Sequence, residues 1–105
     1  MGRRVIFTVQ SPLGYRVTLT RNRWREILRY KHPALAGSEQ AVRRCVESPT
    51  IIRESDKDAS VHLHYAPAGN RHLCIVVAPA RGEERFVVTA YFTKNIKKGK
   101  GLWRS

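Results

Sequence analysis

The sequence predicts an α+β domain: an N-terminal β-hairpin, two short helices, then a four-stranded antiparallel meander sheet with the helices on one face. Three observations lead there. Two β-branched and aromatic runs near the N-terminus flank a turn; two amphipathic helical runs follow, each stopped by a proline; and beyond Pro49 the pattern turns to period two as far as residue 92.

The hairpin comes first. VIFTV (5–9) and YRVTL (15–19) are strand formers, and QSPLG between them carries turn chemistry. Thr20, Arg21 and Asn22 then supply capping candidates, and Trp24, Ile27 and Leu28 recur at helical spacing until Pro33, which predicts helix one over residues 21 to 31. Gly37 and Ser38 open the second helical run, in which Val42, Cys45 and Val46 share a face, and Pro49 ends it. Four strand patterns follow, TIIRES, VHLHY, HLCIVVA and RFVVTAY, separated by DKDA, APAGN and PARGEE. The chain therefore divides into a hairpin (1–20), a helical part (21–48), a sheet (50–92) and a basic tail (93–105), all within one domain.

Composition narrows the function classes. Of the 105 residues, 42% are hydrophobic and 27% charged, a globular balance, and no apolar run approaches the roughly 20 residues of a membrane span. MGRRVIFTVQ is too polar and too short in its apolar stretch for an export signal, so no membrane association and a cytoplasmic location are expected. Cys45 and Cys74 are too few for a disulfide scaffold and read as reduced thiols.

Twenty Lys and Arg against eight Asp and Glu give a net charge of +12. The cations are unevenly placed: residues 1–31 carry eight basic and one acidic side chain, residues 61–105 eight and two, and the middle four against five. Two basic ends brought to one side form a surface that tracks phosphates, which makes RNA the expected partner and other nucleic acid a second one. Charge for solubility alone is the plainer reading of the same numbers.

Alternation places Val61, Leu63 and Tyr65 on one side of their strand and His62 and His64 on the other; Leu73, Ile75 and Val77 likewise oppose His72 and Cys74. If Leu63 pairs with Ile75 and Tyr65 with Leu73, the apolar sets face the helices, and His62, His64, His72 and Cys74 gather on the second face. That group reads as a polar binding face or as solvent-facing positions of a half-exposed sheet. Zinc is not expected, because neighbours on a flat sheet diverge and the spacing matches no familiar zinc motif. In RFVVTAY, Phe86, Val88 and Ala90 share one side and Val87, Thr89 and Tyr91 the other, close to Lys94, Lys97, Lys98 and Lys100. A hydroxyl, a phenol and ammonium groups suit phosphate, and a phenol can also stack on a base. His32, after Arg29, Tyr30 and Lys31 and before Pro33, offers an imidazole for general acid or base work, or a cation for the helix C-terminus.

Taken in order, WREILRYKHPALAG, SPTIIRES, VHLHY, HLCIVVA and FVVTAYFTKNIKKGKGLW resemble the phage-type branch of the barnase/EndoU/colicin/RelE-like nucleases, the BECR fold, over roughly residues 18 to 103. The resemblance implies a compact α+β domain that acts on RNA without metal or other cofactor. The matching positions are His32 in KHPAL, Ser55 in RES, Tyr65 in LHY, and Thr89 and Tyr91 in TAY; the family pattern often has a basic residue after that tyrosine, where this chain has Ala66. Cleavage by attack of a ribose 2′-hydroxyl on its own phosphodiester would then employ His32 as base or acid, with Tyr91 assisting. Thr89 and Ser55 would hold the phosphate. Arg29, Lys31, His62, His64, Tyr65, Lys94 and Lys97 would bind the nucleic acid. Two alternatives use the same basic face: a non-catalytic nucleic-acid-binding module, and a toxin-like domain covered by an acidic protein inhibitor.

Overall fold

A computed structural model describes residues 4–105, so residues 1–3 of the expected hairpin segment lie outside the described residues. β1 (Val5–Gln10) and β2 (Arg16–Thr20) form the hairpin, antiparallel from Val5↔Thr20 to Gln10↔Arg16. Gly14 in its turn takes φ 98°, a left-handed backbone that costs glycine nothing because it has no Cβ.

Thr20 caps the helix that follows, its hydroxyl accepting the Arg23 N–H at 3.2 Å. α1 (Arg21–Glu26) then widens into a π-helical turn over Ile27–Lys31, closed by the His32 N–H on the Ile27 carbonyl at 2.7 Å. The expected helix over 21 to 31 is present in extent, but it changes winding at Ile27. Pro33 disfavours helical backbone at the residue before it, and His32 accordingly leaves the helix at φ −140°, ψ 74°. After one 3-10 turn, Pro33–Leu35, and Gly37 at φ 82°, α2 (Glu39–Glu47) buries Val42, Cys45 and Val46.

The strands β3 (Ile51–Glu54), β4 (His62–Ala68), β5 (Arg71–Pro79), β6 (Glu84–Thr93) and β7 (Gly101–Arg104) complete one sheet of seven strands, ordered β1-β2-β6-β5-β4-β3-β7. The expected four-stranded meander is its centre, not the whole. Two additions correct that expectation. The hairpin joins the sheet through a parallel pairing of β2 with β6, Arg16↔Glu84 to Thr18↔Phe86, and β7 pairs antiparallel with β3. The expected basic tail is therefore a crossing and a strand. Residues 94–100 pass from β6 to β7 over β5, β4 and β3, four strand spacings or about 19 Å, which lies within the reach of the segment at about 3.3–3.6 Å per residue.

The helices do lie on one face. Trp24, Ile27, Leu35, Val42, Cys45 and Val46 meet Phe7, Val9, Val17, Leu19, Leu73, Ile75, Val77, Val87 and Ala90 in the main core. Each large aliphatic side chain buried there contributes about 1.5–3 kcal/mol. The other face holds a smaller cluster, Leu63, Tyr65 and Cys74, against which Ile51, Val76, Tyr91 and Ile96 pack.

The register of β4 on β5 differs by one residue from the expected one: Leu63 lies opposite Val76, His64 opposite Ile75, and Tyr65 opposite Cys74. His62 and His64 thus join Ile75 and Val77 on the helix side, while Cys74 and His72 share the opposite side with Leu63 and Tyr65. On β6 the register jumps between Val76↔Thr89 and Val77↔Val87, leaving Val88 as the extra residue of a bulge. The bulge turns Val87 into the main core with Ala90, away from Thr89 and Tyr91 with which strict alternation groups it.

Candidate functional site

Thr89 and Tyr91 share the face turned away from the main core, Tyr91 opposite Cys74 and Thr89 opposite Val76. β2 accompanies β6 only as far as Phe86, so the remainder of β6 has no strand on that flank. The helical segment fills the gap. It runs from Arg23, whose guanidinium lies 5.7 Å from the centre of the Phe86 ring, to His32, whose imidazole lies 5.6 Å from the centre of the Tyr91 ring at an interplanar angle of 39°. The π-helical turn just before Pro33 is what delivers His32 to the strand.

From the other side comes the crossing segment. The Lys97 ammonium stands 5.9 Å from the centre of the same Tyr91 ring. The Lys97 N–H donates to the buried Tyr65 hydroxyl at 3.1 Å, the Arg53 guanidinium donates to the Lys97 carbonyl at 3.5 Å, and the Glu54 N–H donates to the Lys100 carbonyl at 2.9 Å. Ile96 supplies the apolar anchor on Leu63, Tyr65 and Cys74. Gly99 lies so close to β3 that a Cβ there would overlap the Glu54 carbonyl oxygen.

Electrostatics sort the roles of these groups. Burial raises the Tyr91 phenol well above the ordinary tyrosine range, with the Cys74 and Tyr65 groups acting in the same direction. Burial pushes Tyr65 up to about 12, helped by Cys74, while the Lys97 N–H and Arg53 act against it. Burial also pushes the Cys74 thiol up to about 11, against hydrogen bonding from the two phenols and the charge of Lys97. All three stay protonated at neutral pH: Cys74 is no thiolate nucleophile and neither phenol is a base. His32 is the imidazole that stands against the Tyr91 ring, and Lys97 the ammonium nearest to it. The Thr89 hydroxyl, the His72 Nδ1 and the Arg53 Nε are buried without a hydrogen-bond partner among the described residues.

Of the residues expected from the sequence, then, His32, Tyr91, Thr89, Tyr65 and Lys97 come together. Arg29 and Lys31 are exposed on the turn leading to His32, with Arg29 over the ring of Tyr30 at 5.4 Å, and Lys94 is exposed where the crossing begins. Ser55 stands apart. It follows β3, three strand spacings or about 14 Å from β6, and its hydroxyl accepts the Lys57 N–H at 3.3 Å.

His62 and His64 belong elsewhere too. His64 is fully buried, bonded through Nε2 to the Ser11 hydroxyl at 2.8 Å, and burial holds it down to about 3, with His62 and Arg85 adding to the shift. The His62 Nδ1 meets the Tyr15 hydroxyl at 2.7 Å; burial and Arg85 lower this histidine, and Glu54 acts against them. Arg85 closes the group, 4.4 Å over the Tyr15 ring and donating to the Ser60 carbonyl. These side chains tie the hairpin turn to β4 on the helix side, with the His64 Nδ1 left buried without a hydrogen-bond partner among the described residues, and the expectation of a shared histidine face is corrected by the register. No three His, Cys, Asp or Glu side chains among the described residues are grouped as a metal site, and no helix among them is long and apolar enough to cross a membrane.

Two further residues belong to this group without a local sequence signal of their own: Cys74, opposite Tyr91, and Arg53, which holds the Lys97 carbonyl. The Leu102-Trp103 pair after the lysines is the one hint of a further strand and hence of a segment crossing to Arg53. No protein-family model matches the chain, and no curated protein or solved structure matches it.

Proposed function

We propose that this chain is a metal-independent ribonuclease of the BECR type, cutting RNA by attack of a ribose 2′-hydroxyl on the adjacent phosphodiester. The observation that carries this reading is the pair of contacts on Tyr91: an imidazole 5.6 Å from its ring centre on one side and an ammonium 5.9 Å away on the other. A proton carrier beside a cation, on a protein of net charge +12, suits chemistry at a phosphate.

In this mechanism His32 takes the proton of the 2′-hydroxyl as that oxygen bonds to phosphorus. Lys97 offsets the charge developing on the non-bridging oxygens. The Tyr91 phenol, which stays neutral, donates a hydrogen bond to the phosphate, while Thr89 lies buried behind it on the same face of β6. The bond from phosphorus to the 5′-oxygen breaks, and His32 returns its proton to that oxygen. The products are a 2′,3′-cyclic phosphate and a 5′-hydroxyl.

Labelled RNA and the matching DNA, incubated with EDTA, test the reading. Wild type is expected to cut only the RNA. Removing a general acid-base group costs about 10²–10⁴ in rate, so His32→Ala should fall by that factor, and Tyr91→Phe by less. RNA retained without any cleavage by wild type would instead make the chain a binding module, and cleavage unchanged in His32→Ala would remove His32 from the mechanism.

A further inference from the structure

Beyond Thr18↔Phe86 the strands β2 and β6 part, and β2 runs into α1 through Thr20. A cleft of about 470 Å³ opens at the fork, lined by Thr18, Thr20, Arg23, Arg81, Glu84 and Phe86. Its floor is aromatic: Phe86 is partly exposed, with the Arg23 guanidinium 5.7 Å from its ring centre. Its charge is positive in effect, because the Glu84 carboxylate is held by Arg16 at 2.8 Å while Arg81 is exposed and has no ion pair among the described residues.

The cleft also stands in fixed relation to the site already described. Thr18, Thr20 and Phe86 alternate with Val17, Leu19 and Val87 of the main core, so they lie on the same side of the sheet as Thr89 and Tyr91. Along β6 the two rings are separated by about 13–16 Å at roughly 3.3 Å per residue, allowing for the bulge. The helical segment agrees, since Arg23 to His32 at about 1.5 Å per residue spans about 13 Å. One strand and one helix thus hold an aromatic-guanidinium cleft at one end and an imidazole-phenol-ammonium group at the other.

We propose that the cleft receives an unpaired base of the RNA strand whose reactive phosphate lies at His32 and Tyr91, which rests on the function inferred above. The base stacks on the exposed part of the Phe86 ring beside the Arg23 guanidinium, as bases do on aromatic platforms of single-strand-binding proteins. Arg81 meets its phosphate, and the threonine hydroxyls face the base edges. The ligand class is single-stranded RNA reaching from the fork to Tyr91. A duplex would not serve, because its bases are already stacked and paired.

An uncleavable 2′-O-methyl RNA hexanucleotide provides the test, titrated into the labelled protein while side-chain resonances are followed by NMR. Shifts at Phe86 and Arg23 together with shifts at His32 and Tyr91 are expected. Shifts confined to His32, Tyr91 and Lys97 would overturn the cleft and leave the ribonuclease reading standing. Shifts at Phe86 without any at His32 would uphold the cleft and remove the site. No binding at all would overturn both. Phe86→Leu, which keeps apolar volume but loses the stacking plane, should weaken hexanucleotide binding about tenfold. Arg81→Gln, at an exposed loop position, should also weaken it and keeps the test open if the Phe86 variant does not fold. Affinities equal to wild type in both variants would again count against the cleft.

Discussion

Acid should unfold this protein through His64 in particular. In the unfolded chain a histidine takes up a proton near pH 6.5; in the folded chain His64, buried at 0% exposure against Ser11, does so only near pH 3. Because the folded value is depressed, the unfolded state binds more protons across that interval, and stability is lost as pH falls from 6.5 towards 3. The loss is about 1.4 kcal/mol per pH unit, or about 2.7 kcal/mol at pH 4.5, a large share of the 5–15 kcal/mol typical of a domain. Urea titrations of wild type and His64→Gln at pH 7.5, 6.5, 5.5 and 4.5 measure it. The glutamine variant will be less stable at neutral pH, but its curve should be flatter by about 2.7 kcal/mol between pH 7.5 and 4.5, since carboxylates and His62 titrate in both proteins. Parallel curves would refute the assignment of His64 as a buried neutral group.

Two further outcomes concern the crossing segment. Gly99→Ala forces a methyl group against the Glu54 carbonyl. It should destabilise by about 1–3 kcal/mol, lowering Tm by several degrees in a thermal melt; an unchanged Tm would show that the segment is free to move off β3. Both thiols are buried and raised by burial, so iodoacetamide at pH 7.5 should leave Cys45 and Cys74 unlabelled in the native protein and label both in urea. Rapid native labelling of Cys74 would mean that its face is open to solvent.

The hairpin, both helices and the central strands were legible because each has a local signature: turn chemistry, helical spacing between prolines, period-two runs. What escaped was long-range. HLCIVVA becomes β5, a strand with apolar neighbours on both faces, so Leu73, Ile75 and Val77 and also Cys74 and Val76 find packed surroundings. Alternation alone then tolerates either register, and the strand adopts the one that takes His64 into the core, where Ser11 satisfies one of its nitrogens. GLWR escaped for another reason. Four residues after a lysine-rich stretch make a weak strand pattern, and β7 exists through its pairing with β3, about fifty residues away. The site was legible to the same degree: the alternation that sets Thr89 and Tyr91 together survives the bulge at Val88, whereas the contact of His32 with Tyr91 depends on β2 leaving β6 after Phe86, which no local pattern announces.

A sheet with an apolar cluster on each face is a partition between two reservoirs of unequal stability. The smaller one is roofed by residues 94–100 and latched at the margin by the pairs Ile51↔Arg104, Ile52↔Trp103 and Arg53↔Gly101. Releasing that latch uncovers Leu63, Tyr65 and Cys74 and carries Lys97 off Tyr91, while the packing of α2 on β5 is untouched. Such sub-global opening costs less than unfolding the whole molecule, so the amide protons of Glu54 and Lys97 exchange ahead of that of Ile75. The half of the protein that carries Lys97 and covers Tyr91 can therefore be disassembled and rebuilt while the main core stays folded.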